Sequence, residues 1–329
     1  MKVFSFDPEE LAGLYSAQGW IHVPGGATAE FCDYVRDLVT MHRNEPLHGK
    51  GIGGSKDQLL LELPEGFDLR GSLLDPIACA AGLDPAGLTI SERHVKMYSS
   101  EADPSPRPHK DRFASQVALG ISIDIPDGSH LVLYPDRDVS VNPLLRAGLI
   151  DSLPEERQPQ RVLADAPEVV IHDQPGDVVA FRGSSMWHLR RRCASTVIVY
   201  FKCNDFGSDP LGEDPRTSAR RERTVALSAT DDAMLDAVPC LSASFESVTR
   251  EYGRDLSLEW LNVNLWDRPP FMISALELEL LKQTGARRSA RELVTELASE
   301  PNGDRPALDA LRRLCEMGAL DLRTADAPE

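Results

Sequence analysis

The sequence predicts an α+β protein. A central all-β region, an antiparallel barrel or double-sheet jelly roll, is flanked by helices and followed by a small helical module. Three observations carry this reading. From Leu88 to Lys202, short β-rich runs alternate with turn clusters. Ahead of them, residues 8–42 are dominated by helical spacing of apolar side chains. From about residue 270 helical spacing returns, opened twice by a capping-box pattern.

In chain order, Pro8 and Glu9-Glu10 open a first helix with Leu11, Leu14 and Tyr15 on one side. The run Trp20-Ile21-His22-Val23 reads as a strand closed by the Pro24-Gly25-Gly26 turn. A second helix begins at Thr28-Ala29-Glu30 and presents Phe31, Tyr34, Val35, Leu38 and Val39 on its apolar face. The expected strands are 95–98, 117–125, 130–134, 169–171, 178–181 and 196–201. Pro126-Asp127-Gly128 and Gln174-Pro175-Gly176-Asp177 supply turn chemistry between them. Residues 140–168 interrupt the pattern with a Leu-rich, Pro-bounded insert, read as a lid or a short helical excursion. The polar stretch 204–223 is the best linker candidate. The expected division is therefore one large β-rich domain with N-terminal helices over 1–203, a linker and connecting segment over 204–269, and a helical module over 270–329. In that module Ser274…Glu277 and Ser289…Glu292 open helices, and a third runs from Pro306 to a left-handed cap at Gly318.

Composition narrows the function classes. The chain has 329 residues, a formal net charge of -17 and a pI near 4.9. A field of that sign repels a phosphate backbone, which makes nucleic acid a poor default partner. No stretch approaches the roughly 18 apolar residues of a membrane span. The N-terminal segment has no apolar run of a secretory signal. Six cysteines lack CxxC spacing, which argues against a zinc site and reads as reduced thiols in a cytoplasmic protein.

The chemistry is carried by two distant segments, Pro108-His109-Lys110-Asp111 and Pro175-Gly176-Asp177-Val178-Val179-Ala180-Phe181 running on to Trp187-His188. On a strand, residues i and i+2 share a face, so His109 and Asp111 can enter one pocket while Lys110 points away. With His188 they make two imidazoles and one carboxylate, the set that binds Fe(II) on one face and leaves open positions. A lone His-x-Asp arises by chance, and its plain reading is a surface histidine beside a solvated acid. The tight turn, buried strand and histidine downstream shift the balance.

With these residues in view, the chain resembles the iron(II)/2-oxoglutarate-dependent dioxygenases, which are built on a double-stranded β-helix. The opening Gly19-Trp20-Ile21-His22-Val23-Pro24 and the helix after it look like the phytanoyl-CoA hydroxylase-like branch. The resemblance covers roughly residues 10–203. It implies that His109, Asp111 and His188 are metal ligands and catalytic residues, with Fe(II) as cofactor and 2-oxoglutarate as co-substrate. It further implies oxidative decarboxylation to succinate coupled to attack on an unactivated C–H bond. Halogenating members have a small residue at the position of Asp111, so hydroxylation or desaturation is implied here.

Members of the family hold the distal carboxylate of 2-oxoglutarate with a basic residue, commonly near where Ile198 falls, and isoleucine cannot do this. Arg190 and Arg192 share strand parity with His188, and Arg192 is favoured over Arg190; an exposed basic turn is the ordinary alternative. A guanidinium suits the task because its planar fork matches a carboxylate. Lys202 and Lys96 are further candidates, and Tyr98 and Ser195 are expected to help bind the co-substrate. His94, His130 and His172 are read as structural or exposed, and Trp187 as a pocket wall or an ordinary core side chain.

The C-terminal module looks like a winged helix. Similar modules end some ribosomal-protein hydroxylases, and it also resembles peptide-recognition domains of enzymes that tailor ribosomally made peptides. The plainer reading is a helical cap that completes the core or a dimer interface. Three functions follow: a hydroxylase of a small molecule or amino acid, the same chemistry on a peptide or protein gripped by the tail, or a non-oxidative cupin-like metal-binding protein. No membrane or nucleic-acid partner is expected, and a homodimer is compatible with all three.

Overall fold

A computed structural model describes residues 1–42, 56–142, 152–256, 259–284, 288–298 and 304–324. The chain forms two compact units, Met1–Gly207 and Ser208–Glu329.

The first unit opens with helix α1 (Glu9–Gln18), strand β1 (Trp20–Val23) and helix α2 (Ala29–His42). Strand β2 (Lys56–Leu60) follows, then a π-helical turn (Arg70–Leu74) continuing into α3 (Asp75–Ala81). The β-rich region comprises β3 (Thr89–Tyr98), β4 (Val117–Asp124), β5 (His130–Tyr134), β6 (Val169–Ile171), β7 (Val178–Phe181), β8 (Trp187–Arg191) and β9 (Val197–Asn204). One sheet has the order β1-β7-β4-β9-β3-β2, the other β6-β5-β8, and every pairing is antiparallel. An isolated bridge between His109 and His188 adds one more rung beside β8. From β3 to β9 the chain passes back and forth between the two sheets, which is the double-stranded β-helix expected.

Strand parity sorts the two faces of the larger sheet. Val199, Phe201 and Cys203 of β9, with Val117, Leu119 and Ile121 of β4, pack under Phe31 and Val35 of α2 and Ile77 of α3. Each such large apolar side chain contributes about 2 kcal/mol by leaving water. The alternate residues, Ile198, Tyr200 and Lys202 of β9, turn toward the smaller sheet, where the site lies.

The Pro-Gly-Asp turn is a structural fastener. Gly176 has φ +91°, a conformation that glycine adopts without penalty. The Asp177 carboxylate accepts from the backbone N–H of Gly25 and of Gln174, at 2.8 and 2.9 Å, and lies 2.8 Å from His22 Nε2. It thereby ties the end of β1 to the start of β7. In the insert, residues 155–157 form a 3-10 turn and Pro159–Val162 helix α4; residues 143–151 lie outside the described residues.

The second unit corrects two expectations. Residues 204–269 are not a linker after the first few positions. They fold into α5 (Pro215–Ser228), α6 (Asp231–Asp236), β10 (Val238–Leu241), β11 (Phe245–Tyr252) and β12 (Glu259–Leu265). Two buried aspartates of the stretch serve capping. Asp209 accepts from the N–H groups of Glu213 and Asp214, and Asp214 caps α5 by accepting from Arg216 N. The unit continues with β13 (Arg268–Ile273), α7 (Ala275–Gln283), α8 (Ala290–Leu297), α9 (Arg305–Glu316) and β14 (Leu320–Arg323). Both capping boxes form, and Gly318 takes φ +77° after α9. Among the described residues no wing hairpin follows α9. Instead β14 pairs with β10, and the three-stranded meander β11-β12-β13 precedes the helices.

Candidate metal centre

His109 and His188 face each other across their bridge, each donating its backbone N–H to the other's carbonyl, at 3.0 and 2.9 Å. Their rings stand 4.4 Å apart between centroids. Two residues on, Asp111 donates its N–H to Gly183 O at 2.9 Å, which brings its side chain back to the same point. The donor atoms of His109, Asp111 and His188 all lie within 4.8 Å of one another, and His188 Nε2 is 3.9 Å from Asp111 Oδ2.

The surroundings prepare these three for a metal. His188 Nδ1 lies 3.0 Å from Met186 O, so it carries the proton and Nε2 presents its lone pair to the site. Burial holds His188 below the usual histidine range, and burial together with His188 holds His109 down to about 3. Both rings are therefore neutral ligands at neutral pH. Burial pushes Asp111 upward, but Lys202 and then the two histidines draw it down to about 2, so it is ionised. Lys202 Nζ lies 2.6 Å from Asp111 Oδ1, which leaves Oδ2 on the histidine side. Gly183 makes room for that oxygen: a Cβ there would sit 2.9 Å from Asp111 Oδ2 and 2.8 Å from Ala118 Cβ. Phe181 closes one side, its ring centroid 4.6 Å from that of His188. Two neutral imidazoles and one carboxylate suit a divalent iron with positions left over.

The co-substrate residues fall out differently from one another. Arg190 is buried on β8 with its guanidinium inside the barrel. It pairs with Asp173 Oδ2 at 2.7 Å and donates to Ser129 Oγ at 3.2 Å, while its buried Nε has no hydrogen-bond partner among the described residues. Arg192, favoured on parity, is exposed. The strand ends at Arg191, and Arg192 takes φ +53°, so the i, i+2 rule no longer applies. Ser195 is likewise exposed in a left-handed turn at φ +60°. Tyr98 is on the inner side of β3, within electrostatic reach of Arg190 and Asp111. Ile198 and Arg190 line one small cavity from opposite sheets, so the arginine on β8 reaches the space where the isoleucine on β9 cannot help.

Lys202, a secondary candidate, lies against Asp111, away from the Arg190 cavity. Glu92 was not foreseen: it pairs with Lys202 at 2.9 Å, Lys96 at 3.6 Å and Arg112 at 3.7 Å. It shares strand parity with Lys96 on β3, a signal that becomes informative only once its cross-strand partners are known. Asp173, just before the Gln174-Pro175-Gly176-Asp177 turn, is fully buried against Arg190. Trp187 points to the opposite side from His188, packing with Val132 and Leu189. His130 and His172 lie against each other with tilted rings, 5.1 Å between centroids, outside the triad.

No protein-family model matches the chain, and no curated protein matches its sequence. Solved structures do. The non-heme alpha ketoglutarate dependent epimerase SnoN from nogalamycin biosynthesis aligns with a TM-score of 0.41 and 18% identity over 59% of this chain and 82% of its own. A Pseudomonas putida prolyl-4-hydroxylase gives 0.42 and 13%, over 60% of this chain and 98% of its own. HygX from Streptomyces hygroscopicus, with nickel, 2-oxoglutarate and hygromycin B bound, gives 0.39 and 13%, over 61% and 88%. The chemistry below is built on this chain's own side chains.

Proposed function

We propose that the chain is an iron(II)- and 2-oxoglutarate-dependent oxygenase acting on a C–H bond of a small organic substrate. The observation that carries this is the meeting of His109, Asp111 and His188, from distant parts of the chain, in a pocket that keeps both imidazoles neutral and the carboxylate ionised. Bound ferrous iron, with 2-oxoglutarate and oxygen, supplies the oxidising power. The protein's own work is positional. Met186 O fixes the His188 tautomer, Lys202 and Gly183 set which Asp111 oxygen faces the site, and Phe181 screens one side from water. Arg190, whose buried Nε has no acceptor among the described residues, is the residue assigned to the distal carboxylate of the co-substrate.

The test is succinate release from 2-oxoglutarate with Fe(II) and oxygen, in the protein and in Asp111→Ala. Release by the first and none by the second is expected. Equal release by both removes the assignment, and metal binding with no succinate points to a non-oxidative metal protein.

A second reading, a peptide substrate, is favoured by one observation. β11 and β13 are the outer strands of their sheet, and each offers a backbone edge to which an extended peptide could add. Unchanged turnover of the true substrate after removal of residues 208–329 argues against it.

A further inference from the structure

The space between the two sheets of the first unit carries more positive charge than the triad needs. Among the described residues five cations, Lys56, Lys96, Arg112, Arg190 and Lys202, face three carboxylates, Glu92, Asp111 and Asp173. Glu92 alone is shared by Lys96, Lys202 and Arg112. Lys56 has no carboxylate within salt-bridge distance among the described residues; its Nζ stands 6.0 Å from the centre of the Tyr98 ring. Lys96 Nζ stands 5.0 Å from the centre of the Tyr200 ring. The β2–β3 register pairs Lys56 with Tyr98 and Gln58 with Lys96, so the two lysines are diagonal neighbours on one face. That spacing is on the order of 7 Å between their strand positions, which one anion with two or three oxygens spans.

The balance is two positive charges in excess before any metal, since five less three is two. A divalent ion raises the excess to about four, and a dianionic co-substrate returns it to about two, on the charge counts of the proposed function. Uncompensated charge held away from water is costly. Burial, and then Lys202, already holds both Lys56 and Lys96 below the ordinary lysine range.

We infer that Lys56 and Lys96, with Tyr98 beside them, form a subsite for an anionic head group, carboxylate or phosphate, on the primary substrate. This rests on the oxygenase reading and narrows it: the substrate enters as an anion, its acid end beside Lys56 and Lys96.

The experiment uses the full chain loaded with Ni(II), which does not turn over, and saturated with N-oxalylglycine in place of 2-oxoglutarate. Binding of both is measured first by calorimetry, and failure there counts against the oxygenase reading by itself. Inorganic phosphate and glutarate are then titrated separately at low salt. The expected result is one equivalent of at least one of them, with N-oxalylglycine still in place. Affinity should fall about tenfold or more in Lys56→Gln and in Lys96→Gln, as loss of one charge-assisted contact requires, and be largely kept in Lys56→Arg. The tighter probe identifies the head group. Three results overturn the subsite: neither anion binds, binding is the same in folded Lys56→Gln, or the anion displaces N-oxalylglycine. Lysine-dependent phosphate binding without N-oxalylglycine binding would uphold the subsite while removing the oxygenase reading.

Discussion

Lys202 Nζ lies 2.6 Å from Asp111 Oδ1, so a buried ammonium holds one oxygen of this carboxylate and leaves Oδ2 toward His188. The same ammonium is 2.9 Å from Glu92 Oε2. One cation therefore keeps two buried acids ionised and apart, and Asp111 stays oriented before any metal arrives.

Lys202→Met should remove that restraint. Breaking a buried pair from one side costs about 3–5 kcal/mol, because charge is left without its partner. A divalent ion replaces part of the lost positive charge, so Co(II) should raise the melting temperature of Lys202→Met more than that of the wild type. Thermal melts with and without Co(II) check this, and equal increments in both proteins would show that Lys202 does not act on Asp111. Lys202→Arg, which keeps the charge, should behave nearly as wild type.

Gly183→Ala probes the same carboxylate from the other side. The added Cβ would lie 2.9 Å from Asp111 Oδ2 and 2.9 Å from the backbone oxygen of Ser115. The backbone oxygen cannot swing aside, so the Asp111 carboxylate must. Overpacking of this kind costs about 1–3 kcal/mol. A folded Gly183→Ala with metal affinity reduced at least tenfold is expected from Co(II) titration. Wild-type affinity would mean that the placement of Oδ2 is not critical.

Arg190 and Arg192 separate in kinetics. Arg192→Ala should leave the 2-oxoglutarate requirement unchanged, since the side chain is exposed beyond the end of β8. Arg190→Met alone strands the fully buried Asp173 and should lose about 3–5 kcal/mol of stability. The double variant Arg190→Met with Asp173→Asn removes both charges and should recover much of the fold. Its KM for 2-oxoglutarate should still be raised about tenfold or more, as expected for the loss of a charge-assisted bond. A normal KM in the folded double variant would move the anchor elsewhere.

These results mark what the sequence made legible. His109 and Asp111 lie at an isolated bridge and not in a strand, yet residues two apart still share a side there, and the barrel brings them to His188. Arg192 could not be placed because parity holds only along extended backbone, and the strand ends one residue earlier. Glu92 and Asp173 were hidden because a carboxylate in a β-rich run looks solvated until its cross-sheet partners are known. The stretch 204–223 looked like a linker because composition does not tell a solvated aspartate from one that caps a helix. Asp209 and Asp214 are of the second kind.

The second unit offers the last prediction. Its core joins the meander and the helices: Val263 and Leu265 of β12 pack with Leu280 of α7, Leu293 of α8, and Leu308, Leu311 and Leu314 of α9. β14 closes it by pairing with β10, and Thr224 of α5 accepts at its hydroxyl from Leu322 N at 2.8 Å. A core that draws on α5, β10 and β14 together needs the whole span 208–329. That fragment should therefore unfold cooperatively on its own, with coincident transitions by far-ultraviolet circular dichroism and tryptophan fluorescence. A fragment beginning at residue 270 lacks β10, β11 and β12, leaves the apolar faces of α7 and α9 uncovered, and should not. Ser274→Ala and Ser289→Ala, each removing a formed capping box, should lower the stability of the longer fragment by about 1 kcal/mol apiece. A cooperative transition in the shorter fragment would show that the helices hold together without the strands that precede them.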